Sequence, residues 1–186
     1  MMSFTQFDKN LPEQSLYKNP KTGITTSYRI RKYSGTADHD PIVFLHGFNG
    51  NSRSWVFQFD FFTDRTVIAI NAPGFGHSDV IEGGMSAIAG EVAAAITALV
   101  TTPVVIVGHS MGGMLAQVLA VSYGDIIRAL VLSCTHTGNA NAADVPLSAA
   151  IQQRLEQRSS MDDAAYGRLR VSAMLPGIAE NEMFAF

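Results

Sequence analysis

Val107-Gly108-His109-Ser110-Met111-Gly112-Gly113 is the stretch that decides how this chain folds. Directly before it, Pro103-Val-Val-Ile-Val107 is a continuous apolar run stopped by Gly108, which predicts a buried strand. After it, residues 110–123 place Met111, Leu115, Val118, Leu119 and Ser122 on one side, which predicts a helix. Gly-x-Ser-x-Gly between a strand and a helix makes a sharp turn. The serine backbone is strained there, and only small neighbours at the flanking positions, here Gly108 and Gly112, avoid a clash. A serine hydroxyl is a poor nucleophile in water and needs such exposure, a base and stabilisation of the developing oxyanion. Ser110 would also sit at a helix N-terminus, where the dipole and free N–H groups favour negative charge. Ser110 is therefore the candidate nucleophile.

Two other readings compete for the same turn. A serine after a Gly turn can be a plain helix N-cap. A Gly-rich strand-to-helix turn can also cradle a dinucleotide, but G-x-G-x-x-G needs glycine at position 110, where serine stands. The turn Gly74-Phe-Gly76-His-Ser-Asp79 carries Asp where the third glycine belongs. Dinucleotide binding is accordingly disfavoured.

Working outward, Thr26 to Tyr33 alternates as a strand does, and Pro41-Ile-Val-Phe-Leu45, Thr66-Val-Ile-Ala-Ile70 and Arg128-Ala-Leu-Val-Leu132 are further short apolar runs. Continuous apolar strands suit a sheet covered on both faces. Helices are expected between them. Residues 52–62 are aromatic-rich, and residues 86–100 put Ile88, Val92, Ile96 and Leu99 on one face with Ser86 as N-cap. The alternation predicts an α/β fold with a mostly parallel sheet and helices on both faces. The run from Trp55 to Phe62 is read as a helix packing on the sheet.

With these motifs in order, the sequence resembles the α/β-hydrolase fold family from about Ile42 to Leu132. The motifs are His46-Gly47, Pro73-Gly-Phe-Gly76-His-Ser-Asp79 and Gly108-His-Ser-Met-Gly-Gly113. Within that family it looks most like the bacterial esterase and enol-lactonase group, near the hydrolases that cleave C–C bonds in ring-fission products. The resemblance implies an oxyanion hole from the backbone N–H groups of Met111 and Phe48, with His46 supporting the oxyanion loop and His109 pointing elsewhere. It also implies a small ester, lactone or related carbonyl substrate, acyl transfer to Ser110, and no cofactor or metal.

The mechanism needs a histidine base oriented by a carboxylate, and the family order is serine, then acid, then histidine. His39, His46 and His77 lie upstream, His109 adjoins the serine, and His136 is the only histidine downstream. His136 sits too early for the family pattern, and Asp144 has only its position in its favour; both are weak candidates. Asp125 is placed in the loop after the nucleophile helix. The reading is therefore a core over residues 1–138, followed by the start of a helical cap or lid over 139–186, lacking the last core strands and with them the acid and base. The chain stops within an apolar pattern. An unpaired strand near Leu132 would then be an apolar edge, open to self-association or to a complementary C-terminal piece. A non-catalytic relic that binds a ligand or partner is the alternative.

Composition narrows the rest. With 47% hydrophobic residues and 16% charged, the chain of 186 residues is globular in type. A net charge of -3 without a basic stripe argues against nucleic acid and against an anionic membrane surface. Cys134 is the lone cysteine, which rules out a disulfide within the chain and disfavours a Cys-based zinc site; it is read as a small core residue at a strand end. No signal-like or membrane-spanning run is found, so a cytoplasmic location is expected.

Overall fold

The computed structural model describes residues 10–36, 39–138, 148–174 and 177. Six strands form one sheet: β1 (Gln14–Lys18), β2 (Thr25–Arg31), β3 (Ile42–Leu45), β4 (Val67–Ile70), β5 (Val104–His109) and β6 (Ile127–Ser133). Their spatial order is β1-β2-β4-β3-β5-β6. The pairs β1–β2 and β2–β4 are antiparallel, whereas β4–β3, β3–β5 and β5–β6 are parallel. The fold is thus α/β with a mostly parallel sheet, as the apolar runs predict.

The period of two along each strand explains why those runs are unbroken. Ile42 and Phe44 of β3 and Val67 and Ala69 of β4 face one cluster with Phe59, Trp55 and Phe62. Val43, Leu45, Ile68 and Ile70 face the other, with Val92, Ile96, Leu115 and Leu119. The first cluster is built by a 3₁₀ turn (Ser52–Trp55) running into α1 (Val56–Phe61). The second is covered by α2 (Gly84–Leu99) and α3 (Met111–Ser122). Each of these strands therefore has apolar side chains on both faces.

Several boundaries differ from expectation for local reasons. Strand β5 continues through Gly108 and His109, which pair with Leu132 and Ser133 of β6. Helix α2 is not capped by Ser86: it opens from Gly83, whose φ of 101° is left-handed, a conformation glycine adopts freely. Ser122 is exposed, not part of the inward face of α3. Cys134 is likewise exposed rather than a core residue, with a φ of 48°. Strand β1 has no counterpart in the sequence reading. Its turn into β2 is tied to α2 by Asn19, whose Nδ2 donates to the carboxylate of Glu91 at 2.9 Å, both residues being buried.

Strand β6 lies at the sheet edge, with Val131 50% and Leu132 44% exposed. The chain divides into two compact units at Gly138 and Asn139. Within the second, α4 (Ala149–Ser160) and α5 (Asp163–Met174) form a helical pair. Asp162 Oδ1 caps α5 by accepting the Ala165 N–H at 2.8 Å, and the Arg158 guanidinium lies over the Tyr166 ring. Among the described residues, no helix is long and apolar enough to cross a membrane.

Candidate active site

Strands β3 and β5 are neighbours in space, although the chain visits β4 between them. After β3 it runs to β4 on one side; after β5 it runs to β6 on the other. Such a reversal of direction opens a crevice at the carboxyl ends of the two central strands. There the sequence places His46-Gly47-Phe48 after β3 and Ser110 after β5.

Ser110 has φ 52° and ψ −116°, one of only two non-glycine residues with positive φ among those described. The serine is held from several directions. Its N–H donates to Ser133 O at 2.9 Å, and its carbonyl accepts from Gly113 N at 2.9 Å and Met114 N at 3.2 Å. The flanking glycines make the turn sterically possible. A methyl group at Gly112 would lie 2.2 Å from Leu45 O and 2.7 Å from His46 O; one at Gly108 would lie 2.5 Å from Gly112 O. Both obstacles are main chain. Met111 opens α3, so its N–H has no acceptor within the helix.

The loop after β3 folds against this turn. A methyl group on Gly47 would meet His109 Cδ2 at 3.0 Å and Ser110 Cβ at 3.3 Å, so loop and serine are in contact. The loop is closed by Gly50 N–H donating to Gly47 O at 2.9 Å. Phe48 projects outward, 64% exposed, with its ring edge-on to Phe75, which in turn packs edge-on to His46.

His46 is 2% exposed and its ring nitrogens have distinct partners. Nδ1 lies 2.8 Å from the Gly47 carbonyl, which only accepts, so Nδ1 carries the proton. Nε2 accepts the Ala72 N–H at 3.2 Å. The neutral imidazole thus ties the β3 loop to the segment after β4. Burial pushes its pKa below the usual 6.5, opposed by the Gly47 carbonyl. The unfolded chain takes up a proton near the ordinary value while the folded chain resists it. This contribution to stability is therefore full above about pH 6.5 and is lost progressively as pH falls below it. The urea midpoint is expected to be lower at about pH 5.5 than at about pH 7.5, and His46→Gln should flatten the difference. A His46→Gln protein with undiminished pH dependence would assign the effect to another group.

The segment after β4 is organised by Asn71, which the sequence reading passes over. Asn71 Oδ1 accepts from Ser52 N at 2.5 Å, its Nδ2 donates to Ser27 Oγ at 2.8 Å, and its carbonyl accepts from Ser78 Oγ at 2.7 Å. Buried polar groups need such partners. The only signal in the sequence is an asparagine ending an apolar strand just before Ala-Pro-Gly.

None of the histidines is hydrogen-bonded to the Ser110 side chain among the described residues. His136 is exposed; its Nδ1 accepts the Gly138 N–H at 3.0 Å, and its carbonyl accepts from Gln117 Nε2 at 3.0 Å. His39 pairs with Asp64 at 3.4 Å, and His77 is bonded to Gln14. Asp125 lies in the 3₁₀ turn Gly124–Ile126 after α3, and Asp144 lies outside the described residues.

The profile of the alpha/beta hydrolase fold family matches residues 40–172. This chain belongs to the α/β-hydrolase family. It is 33% identical over 124 residues to a Bacillus subtilis protein provisionally named 2-succinyl-6-hydroxy-2,4-cyclohexadiene-1-carboxylate synthase, covering 62% of this chain and 44% of that one. It is 35% identical over 105 residues to epoxide hydrolase 3 of Xenopus tropicalis, covering 53% of this chain and 28% of that one. An esterase structure from Thermogutta terrifontis superposes with a TM-score of 0.66 at 24% identity, covering 91% of this chain and 61% of the esterase; at that identity the likeness is one of fold. This α/β-hydrolase chain spans less than half the length of the curated relatives named here.

Proposed function

We propose that this α/β-hydrolase chain carries the nucleophile half of a serine hydrolase acting on a small carboxylic ester, lactone or related carbonyl compound. Ser110 Oγ attacks the carbonyl carbon, and the N–H groups of Met111 and Phe48 receive the oxyanion. Water then releases the acyl group and restores the hydroxyl. The observation that carries this reading is the backbone of Ser110: a positive φ at a non-glycine residue, between a strand end and a helix start, with main chain crowded against both flanking glycines. Strain of this kind at a serine is difficult to explain as a helix cap, because the Ser110 side chain makes no capping bond to α3.

In this reading the general base is a histidine other than the five in the chain, since four of them lie in or before the Gly108–Gly112 turn and the fifth, His136, lies too early for the family order of serine, acid, histidine. Among the described residues β6 pairs with β5 alone, and its other edge offers a place for a complementary piece or a second copy to pair.

A fluorophosphonate probe tests the reading directly. The expected result is one covalent adduct, mapped to the peptide containing Ser110. The adduct should form faster on the folded chain than on the same chain in urea, because the oxyanion donors are assembled only by folding. Labelling that spreads over several serines, or that urea leaves unchanged, would favour a relic that binds without turnover.

A further inference from the structure

We infer that Thr135 is a positioning residue that aims the Met111 N–H, acting through the carbonyl of Ser110. The inference rests on the reading of Ser110 as nucleophile and extends it to a residue outside the Gly108–Gly112 turn. After β6 the chain turns sharply at Cys134, whose φ of 48° makes it the second positive-φ non-glycine residue among those described. A left-handed backbone at such a residue costs about 1–2 kcal/mol, so the turn must be enforced by its surroundings. Its result is to bring Thr135 over the start of α3.

There Thr135 Oγ1 donates to Ser110 O at 2.7 Å. The alternative acceptor, His136 O, lies at 3.4 Å, so the single hydroxyl proton belongs to Ser110 O. That carbonyl also receives the Gly113 and Met114 N–H groups, both from α3 itself. Thr135 is thus its donor from outside the helix. The approach is close: a methyl group on Gly113 would lie 2.6 Å from Thr135 Cβ and Cγ2. Gln117 holds the next residue in place, donating through Nε2 to Gly113 O at 3.1 Å and His136 O at 3.0 Å.

Peptide geometry carries the effect to the oxyanion site. Ser110 C=O and Met111 N–H belong to one planar trans peptide and point in opposite directions. Fixing the oxygen fixes the direction of the N–H. A donor on the carbonyl oxygen also polarises the peptide and strengthens its N–H as a donor. The hydroxyl therefore acts on the oxyanion site without touching the substrate.

Thr135→Val keeps the shape and removes the hydroxyl; Thr135→Ser keeps the hydroxyl. With a fluorophosphonate probe on the 186-residue chain, Thr135→Val is expected to slow labelling of Ser110 about tenfold, and Thr135→Ser should restore it. Hydrogen exchange of the segment around Met111, read by mass spectrometry on the 186-residue chain, should accelerate in the valine variant and return in the serine variant. Equal labelling and equal exchange in the valine variant would overturn the inference, as would a loss that serine fails to restore. Ser110→Ala keeps the two readings apart. If it is labelled as fully as the unmodified chain, the nucleophile assignment fails, and hydrogen exchange alone decides whether Thr135 fixes the Ser110–Met111 peptide.

Discussion

Replacing Ser110 by alanine is expected to eliminate phosphonate labelling of this chain, while leaving the thermal midpoint nearly unchanged. The hydroxyl is the group proposed to form the covalent bond, so its loss removes the step rather than slowing it. Residues of such a site act as a unit, and loss of the nucleophile alone typically costs about as much as loss of all of them. The fold does not depend on the hydroxyl, because Ser110 is held through its main chain, by Ser133 O, Gly113 N and Met114 N. Glycine at the same position separates catalysis from strain. Ser110→Gly also loses the nucleophile, but it relieves a backbone conformation that costs roughly 1–3 kcal/mol. Part of that gain is offset by the greater freedom of glycine in the unfolded chain, leaving a net stabilisation of about 1 kcal/mol. Calorimetry should therefore rank Ser110→Gly above Ser110→Ala. The reverse order would mean that the turn is relaxed, and labelling surviving in both variants would assign the nucleophile elsewhere.

Gly112→Ala should produce the largest loss of stability of any single methyl addition in the core. The added carbon would sit 2.2 Å from Leu45 O and 2.5 Å from Leu45 C, atoms of a central strand that cannot rotate away. Overpacking against movable side chains costs about 1–3 kcal/mol; against main chain the upper end or beyond is expected. For a chain of this size that corresponds to a fall of about 10 °C in the thermal midpoint. Gly113→Ala is the useful contrast, since its obstacle is the Thr135 side chain. Pairing Gly113→Ala with Thr135→Ser should recover part of its loss, whereas Thr135→Ser should do nothing for Gly112→Ala. A thermal midpoint for Gly112→Ala within a degree or two of the unmodified chain would contradict the close approach of α3 to β3.

Strands β3 to β5 are legible in the sequence because both faces of β3 and β4, and much of β5, are buried, so their apolar runs stand out against Gly, Pro and Asn; β6 is legible as an apolar run although most of it is exposed. Strand β1, Gln-Ser-Leu-Tyr-Lys, is an edge strand with Leu16 61% exposed, and its sequence carries no comparable signal. The start of α2 is misread because Ser86 looks like a cap, whereas the helix begins from the positive φ of Gly83, which only the backbone reveals. At the site, the positions named by motif are those where geometry forbids a side chain or demands a sharp turn. Asn71 and Thr135 escape such a reading because their importance lies in long-range hydrogen bonds, and a lone asparagine or threonine at a strand end has many ordinary explanations. Cys134 escapes for a related reason: nothing in its own side chain signals the exposed, left-handed turn that brings Thr135 onto α3.

The constraints on Ser110 come from far along the chain: Leu45 presses on its flanking glycine, and Ser133 and Thr135 bind its main chain. While the polypeptide is still being synthesised, Ser110 emerges before two of those three and is an ordinary serine in an ordinary glycine-rich segment. Its unusual geometry can arise only once β6 has docked against β5 and drawn the next turn over α3. Contacts so distant in sequence form slowly. A phosphonate added during refolding should therefore capture Ser110 only in molecules that have completed the sheet, making the serine itself a clock for the last stage of assembly.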